Sequence, residues 1–301
     1  MKKRALLVGG TGFVGPYLQQ HLQNDYDVVA VGHNIDIRIK EQLQQLIATT
    51  MPDVVIHLAG QSFVPESFRN PKGTFEINFL GTFNLLSALK DAGFAGRLLF
   101  IGSGDVYGLV PPDLLPLLEN YPLRPRNPYA VSKVAAEALC YQWSQTEGFD
   151  IVMARPFSHI GPGQSDRFVV SDFARQIIEI KLGRREPVLR VGDIDVTRDF
   201  TDVRDVVRAY RLLLENGENG EVYNVCSGNE YSIRALLQQM MEIAGVDAKL
   251  EQDNERLRPS EQRRLCGSFD KLQKETGWQP KLAIERTLQD ILNYWREKIN
   301  E

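Results

Sequence analysis

The chain has 301 residues, enough for one large α/β unit or for two lobes. Its 35 basic and 39 acidic residues give a net charge of −4 without any basic run, which argues against nucleic acid or an anionic membrane surface as the main partner. No apolar stretch is long enough to span a bilayer, and the apolar residues 5–8 end at Gly9, too soon for a signal peptide. Three scattered cysteines indicate neither a disulfide framework nor a zinc site, so we expect a cytoplasmic protein without a metal.

A glycine-rich loop, residues 9–15, follows the first predicted strand and precedes a helical pattern. Strand, glycine turn and helix form the context of a dinucleotide-binding loop, although a plain tight turn is the alternative. Gly9 would permit the turn, Gly12 the close approach of a pyrophosphate, and Gly15 the packing of the helix on the strand. The predicted cofactor-binding residues of this loop are Gly9, Thr11, Gly12, Phe13, Val14 and Gly15.

The second predicted strand, residues 27–31, is followed by Gly32, His33 and Asn34. No acidic residue stands at its tip to hold a ribose 2′-hydroxyl, and the nearest arginine is Arg38. The missing carboxylate favours NADP(H), with NAD(H) still possible. Little room remains before the next helix, so we expect the third strand of the sheet to be abbreviated.

Residues 53–61 show a buried parallel-strand pattern that runs into a small-residue turn. Such turns lie at the carboxyl edge of the sheet, where α/β proteins bind ligands. His57 within it is more simply a core histidine than a ligand. Residues 72–92 then predict one long helix whose apolar residues belong to the core or to a dimer interface. Asn78 within this helix either steadies the backbone near the active site or is a polar residue without a role there.

Ser103 lies in the loop after the next predicted strand, where its hydroxyl could stabilise a carbonyl oxygen that gains negative charge. A later helix begins near Pro128 and carries Tyr129 and Lys133, four residues apart and therefore on one face. A nearby ammonium favours the phenolate and brings the pair toward a usable acid–base range. The alternative is a chance aromatic–cation pair on an exposed helix.

Beyond the strand of residues 150–157, a Gly- and Pro-containing loop marks the start of a second lobe. The patterns there are less regular and end with a helix near residues 288–295. Arg198, Arg256 and Arg258 could fork onto a diphosphate, or each could be a solvated surface arginine.

With its glycine loop, Ser103, Tyr129 and Lys133 in this order, the chain resembles the extended short-chain dehydrogenase/reductase family over nearly its whole length. Residues 57–66, 103–108, 159–164, 198–203 and 258–261 resemble the members that act on GDP-sugars. The resemblance implies an α/β fold, a doubly wound parallel Rossmann-type sheet with a smaller C-terminal substrate lobe. Residues 1–158 with about 197–226 would bind NAD(P), and residues 159–196 and 227–301 would bind the nucleotide sugar.

The implied reaction reduces the 4-keto group of GDP-4-dehydro-6-deoxy-D-mannose to GDP-D-rhamnose by hydride transfer from NAD(P)H. Tyr129 would donate the proton, Lys133 would lower the tyrosine pKa and hold the nicotinamide ribose, and Ser103 would bind the carbonyl oxygen. Further cofactor contacts are implied for Asp36 and Ile37 near the adenine and for Leu58, Ala59 and Gln61 along the dinucleotide. Substrate contacts are implied for Gly104, Asp105, Tyr129, Ser158, Arg198, Arg258 and Glu261, and a homodimer through a four-helix interface is implied as well.

Two departures from the family pattern bear on the reaction. Dehydratases of the family place a glutamate where this chain has Asp105, and one missing methylene leaves the elimination of water poorly served. Ser158 stands where an asparagine commonly contacts the substrate diphosphate. Two alternatives stay open, namely another nucleotide-sugar enzyme, a dehydratase or C4 epimerase, and a non-catalytic dinucleotide sensor.

Overall fold

We describe the protein from a computed structural model, which covers residues 2–256 and 262–300. Its strands are β1 (Lys3–Val8), β2 (Tyr26–Val31), β3 (Val54–His57), β4 (Arg97–Ile101), β5 (Asp150–Pro156), β6 (Ser158–Ile160), β7 (Val188–Val191), β8 (Thr197–Asp202), β9 (Val222–Val225), β10 (Glu230–Ser232) and β11 (Lys249–Gln252). Its α-helices are α1 (Val14–Leu22), α2 (Lys40–Thr50), α3 (Val64–Arg69), α4 (Pro71–Phe75), α5 (Gly81–Asp91), α6 (Pro128–Thr146), α7 (Val169–Lys181), α8 (Val203–Asn216), α9 (Ile233–Ala244), α10 (Asp270–Thr276) and α11 (Ile284–Asn300). Shorter helical turns are the π-helical Glu76–Leu80 and the 3₁₀ helices Gly104–Tyr107, Pro112–Leu114 and Asn254–Arg256.

The main sheet has six parallel strands in the order β2-β1-β3-β4-β5-β9. Its central strands are buried on both faces, and for that reason they read as continuous apolar runs rather than as alternating patterns. Strand β2 forms one edge of this sheet within the described residues, as the short segment before α2 predicted. The expected doubly wound Rossmann-type fold is confirmed.

Helices cover the main sheet on two sides and build a separate apolar core on each. Helices α1 and α8 pack on one face, with Leu18, Tyr210 and Leu213 fully buried against Leu7. Helices α2, α5 and α6 pack on the other face. Successive residues of β1, such as Leu6 and Leu7, enter opposite cores, because side chains alternate across a strand.

A third apolar cluster joins α7, α9 and α11 around Phe173, Leu237 and Trp295. It adjoins two small sheets, β10-β8-β6 and β11-β7. The segment after β5, expected to be a loop, begins with the short strand β6, because Ser158–Ile160 pairs in parallel with β8. Helix α10 is not part of this third cluster and packs against α8 and β9.

The helix predicted for residues 72–92 is interrupted. It consists of α4, the π-helical turn Glu76–Leu80 and α5. A π-helical turn inserts one extra residue and rotates the faces of the helix after it. Within α5, Leu85, Leu86 and Leu89 are buried, whereas Phe83 is exposed.

Three further properties follow from the described residues. Within residues 2–256 and 262–300, no helix combines the length and apolar character needed to cross a membrane. In the same part of the chain, no cluster of three or more His, Cys, Asp or Glu side chains is arranged to hold a metal ion. The three cysteines are buried free thiols.

Candidate active site

The glycine loop leaves the end of β1 and enters α1 at the carboxyl edge of the main sheet. Gly9 has a φ of +88°, and a Cβ on it would lie 2.4 Å from the backbone nitrogen of Ala59. A Cβ on Gly15 would lie 2.0 Å from the carbonyl oxygen of Gly10. Both positions therefore require glycine, Gly9 for its backbone conformation and Gly15 for close packing.

The same loop offers space and donors for a phosphate group. A Cβ on Gly12 would meet only the carbonyl oxygen of Gly9, at 3.5 Å, so the backbone there faces open space. No side chain caps the N-terminus of α1, which leaves N–H groups and the positive end of the helix dipole for an anion. Thr11 and Gly12 are exposed beside Phe13 and Val14. The loop therefore fits a dinucleotide pyrophosphate.

Residues after β2 and β3 flank this loop. The Asp36 carboxylate accepts three hydrogen bonds from Nε and Nη2 of the Arg38 guanidinium, the shortest at 2.6 Å, and these lower the pKa of Asp36. Arg38, the nearest cation noted after β2, is thus already engaged by a carboxylate. Ile37 is buried, and its side chain packs against Gly81.

The turn after β3 lies directly against the glycine loop. The backbone N–H groups of Leu58 and Ala59 both donate to the carbonyl oxygen of Val8, at 2.8 and 2.7 Å. Gln61 follows, and its backbone N–H donates to Asn78 at 2.8 Å. The tertiary fold thus brings Leu58, Ala59 and Gln61 together with the loop at one edge of the sheet.

Ser103, Tyr129 and Lys133 meet at this edge. Ser103 follows β4, and its Oγ accepts the backbone N–H of Asp105 at 3.2 Å. The side chains of Ser103 and Tyr129 share a hydrogen bond. Lys133 lies one turn further along α6 and donates from Nζ to the carbonyl oxygen of Ile101 at 2.8 Å. All three side chains are buried.

Burial dominates the electrostatics of these groups. It raises the pKa of Tyr129 above its ordinary value, and the Asp105 carboxylate raises it further, whereas the hydrogen bond with Ser103 lowers it. Burial also lowers the pKa of Lys133 to about 8. The Lys133 ammonium is held by the Ile101 carbonyl, so the predicted effect of Lys133 on the tyrosine pKa stays a prediction.

A buried polar network supports the site from the side of the π-helical turn. Asn78 lies in that turn and donates from Nδ2 to the Ser132 hydroxyl at 2.9 Å and to the Gln61 carbonyl at 3.0 Å. Ser132 stands between Tyr129 and Lys133 on α6 and donates to the Tyr129 carbonyl oxygen. Of the two interpretations of Asn78, the structure supports the one in which it steadies backbone beside the site.

His57 extends this network into the core. Its Nε2 lies 3.0 Å from the Thr82 hydroxyl, which itself donates to the Asn78 carbonyl oxygen. Burial lowers the pKa of His57 to about 3, so the ring is neutral. Its Nδ1 has no hydrogen-bond partner among the described residues. His57 is therefore a core histidine, as preferred from the sequence, with one nitrogen satisfied.

A cleft is lined by residues of α3, of the segment after β4, of the segment before α6 and of β8. It brings together Asp105 and Arg198, and sequence reasoning missed a third charged residue there, Arg126. The only feature of the sequence that could have indicated Arg126 as a site residue is its position just before the helix that carries Tyr129. The remaining lining residues are Val64, Phe68, Gly108, Leu109, Asn127, Gln262 and Leu265.

The other predicted substrate residues differ in where the structure places them. Gly104 is buried, and a Cβ on it would lie 3.0 Å from the Phe157 ring. Ser158 is the first residue of β6, which follows the last strand residue of β5 after Phe157. Arg256 pairs with Asp172 and Asp253, so it anchors its own segment rather than standing open for a ligand. Arg258 and Glu261 lie outside the described residues.

The parallel sheet, the glycine loop and the adjoining Ser103, Tyr129 and Lys133 define a dinucleotide-dependent oxidoreductase of the extended short-chain dehydrogenase/reductase type. The family model described as GDP-mannose 4,6 dehydratase matches residues 30–291, and the chain belongs to that family. The predicted membership of the extended short-chain family is thereby confirmed.

Individual relatives cover the chain almost completely. GDP-6-deoxy-D-mannose reductase of Pseudomonas aeruginosa is 50% identical and is aligned over 100% of both chains. GDP-6-deoxy-D-talose 4-dehydrogenase of Aggregatibacter actinomycetemcomitans is 30% identical, over 89% of this chain and 90% of its own. The solved structure of RMD from Pseudomonas aeruginosa complexed with NADPH has a TM-score of 0.92 at 50% identity and covers 99% of each chain.

Proposed function

We propose that the protein reduces the 4-keto group of GDP-4-dehydro-6-deoxy-D-mannose to GDP-D-rhamnose with NADPH. The observation that carries this proposal is the 50% identity, over the full chain, to a GDP-6-deoxy-D-mannose reductase. The hydrogen-bonded Ser103 and Tyr129, with Lys133 one turn away, supply the groups that such a reduction requires. NADP(H) is the favoured cofactor, and NAD(H) remains a candidate for the assay below.

The chain's own residues have distinct tasks in this reaction. The bound cofactor supplies the hydride that C4 of the sugar receives. Ser103 donates a hydrogen bond to the carbonyl oxygen, and Tyr129 gives its proton to the same oxygen as negative charge develops there. The buried Lys133 ammonium holds the ribose beside the nicotinamide and favours the phenolate that Tyr129 becomes.

Binding of the two ligands is divided between the lobes. We assign the dinucleotide to residues 1–158 with about 197–226, where the glycine loop, Asp36, Ile37, Leu58, Ala59 and Gln61 line its path. We assign the GDP-sugar to residues 159–196 and 227–301, with Asp105 and Ser158 near the sugar. Arg198, Arg258 and Glu261 would hold the ribose and diphosphate of GDP. The two arginines suit the diphosphate, because guanidinium groups bind phosphate oxygens in a fork.

A dehydratase is the principal rival because the family is described by that activity. Asp105 replaces the longer glutamate that would assist the elimination of water, and a displacement of about 1 Å costs a catalytic group about 100-fold in rate. The two activities differ in their cofactor balance. A reductase consumes the reduced cofactor, whereas a dehydratase regenerates its bound cofactor in each turnover.

We propose a homodimer in which helices 72–92 and 129–145 of two copies form a four-helix interface. Large apolar side chains on this surface are exposed in the single chain, namely Leu80, Phe83, Val131 and Tyr141. Exposed large apolar side chains on these helices favour an interaction site there. We also assign the protein to the cytoplasm, since its three buried cysteines are free thiols, as expected in a reducing compartment.

The test mixes purified protein with GDP-4-dehydro-6-deoxy-D-mannose and either NADPH or NADH, and follows the absorbance of the reduced cofactor. Oxidation of one cofactor equivalent for each GDP-rhamnose formed supports the reductase, and the two rates give the cofactor preference. Turnover of GDP-mannose without net cofactor use would replace it with the dehydratase.

A second test addresses the proton donor. Tyr129→Phe removes only the hydroxyl, so we expect kcat to fall by about 1,000-fold while the Kd for GDP changes less than about twofold. Calorimetric titration with GDP checks the binding. Unchanged turnover in this variant would contradict the role assigned to Tyr129.

A further inference from the structure

A buried ion pair lies one helical turn beyond Lys133 on α6. Arg155, from β5, donates to both oxygens of Glu137, from Nη2 at 2.6 Å and from Nε at 2.9 Å. The two side chains are only 5% and 9% exposed. A buried pair gains little stability over apolar residues of equal volume, but a bidentate fork fixes the orientation of both partners. The consequence of this pair is therefore geometric.

Arg155 extends the same restraint to Tyr107. Its Nη1 donates to the Tyr107 hydroxyl at 2.8 Å, and its guanidinium carbon lies 5.0 Å from the centroid of the Tyr107 ring. The Tyr107 hydroxyl in turn donates to Asn224 Oδ1 at 2.7 Å. The hydroxyl is thus satisfied as acceptor and as donor, and a cation lies over the ring, so the side chain has one fixed position.

Tyr107 closes the 3₁₀ helix Gly104–Tyr107 that follows Ser103. At the other end of this helix, Ser103 Oγ accepts the backbone N–H of Asp105 and shares a hydrogen bond with Tyr129. A closed path therefore runs along α6 from Tyr129 to Glu137, through Arg155 and Tyr107, and back along the 3₁₀ helix to Ser103. Its two ends are the hydroxyls assigned to the reaction.

We propose that Tyr107, held by Arg155 and Glu137, is a positioning residue that sets the distance between Ser103 Oγ and the Tyr129 hydroxyl. The proposal rests on the proposed reduction, in which both hydroxyls face one carbonyl oxygen. Tyr107 itself is fully buried, and its hydroxyl is taken up by Arg155 and Asn224, so it acts through Ser103. Loss of its hydroxyl frees the 3₁₀ helix to shift while every group of the reaction remains present.

The experiment compares two tyrosine variants in the cofactor-oxidation assay. Tyr107→Phe is expected to lower kcat about 10- to 100-fold with a KM within about twofold of wild type, because misplacement affects the transition state more than binding. Tyr223→Phe is the matched control, since Tyr223 is also fully buried and bonds Glu275 through its hydroxyl, in the core below the sheet. Its kcat should equal that of wild type at a similar loss of melting temperature.

A double-variant cycle tests the route through Ser103. In a Ser103→Ala background, Tyr107→Phe should lower kcat by less than about twofold, because residues that act as one unit are not additive. A wild-type kcat in Tyr107→Phe, or the same fold-loss in both backgrounds, overturns the proposal alone. An unchanged kcat in Ser103→Ala overturns both this proposal and the role assigned to Ser103.

Discussion

Replacement of Asn78 by alanine tests whether the π-helical turn supports the active site. The side chain is 2% exposed and makes three hydrogen bonds, two with the backbone of Gln61 and one with the Ser132 hydroxyl. Asn78→Ala removes all three and leaves their partners without a replacement. Alanine also has a higher helix propensity than asparagine, so the measured decrease in the free energy of unfolding is the loss of these contacts minus a small gain.

The magnitude follows from these contacts. Each hydrogen bond contributes about 1 kcal/mol net, and partners left unsatisfied in a buried place add to the loss. With a helix-propensity gain of about 0.6 kcal/mol subtracted, the free energy of unfolding should fall by about 3 kcal/mol. For a chain of this size, that corresponds to a decrease in melting temperature of about 6 °C.

The assay pairs Asn78→Ala with Asn84→Ala, further along the same interrupted helix. Asn84 donates to the carbonyls of Ile37 and Arg38 at 3.1 and 2.9 Å but is only half-buried, so its loss should cost about 1 kcal/mol. We also expect the affinity for NADPH to fall about tenfold in Asn78→Ala, since the displaced Gln61 lies along the cofactor path. Equal melting temperatures in the two variants, or a wild-type NADPH affinity in Asn78→Ala, would refute this reasoning.

Two further predictions concern the loop and the lysine. Gly12→Ala should leave the melting temperature unchanged, because the new Cβ has its nearest neighbour at 3.5 Å, but it should weaken NADPH binding more than about tenfold by filling the space of the pyrophosphate. Gly15→Ala should instead destabilise the fold, because its Cβ would lie 2.0 Å from a carbonyl oxygen. Calorimetry distinguishes the two effects. Lys133 has a pKa of about 8 when folded and its ordinary pKa of 10.5 when unfolded, so this one group adds stability to the folded protein as the pH rises between these values. Lys133→Met lacks this group, and equal pH dependence of the two melting temperatures over that window would contradict the lowered pKa.

Local pattern was sufficient for the elements whose signal lies in neighbouring residues. The glycine loop, the parallel strands and the pair Tyr129 and Lys133 were predicted because strand burial, turn chemistry and helical spacing are local properties. The short segment after β2 likewise indicated that the sheet would end there. In contrast, the interruption at Asn78 was missed, because a π-helical turn keeps the helical pattern on both sides and depends on partners from other elements.

The sequence by itself determined the kind of protein, a doubly wound dinucleotide-dependent oxidoreductase with Ser103, Tyr129 and Lys133 as its chemical groups. Only the tertiary structure decided what surrounds them. It buried Tyr129 beside the Asp105 carboxylate, engaged Lys133 with the Ile101 carbonyl, and joined distant residues into the path from Glu137 to Ser103. The physical reason is that burial, charge proximity and hydrogen bonding between elements depend on distances in space, which spacing along the chain does not encode.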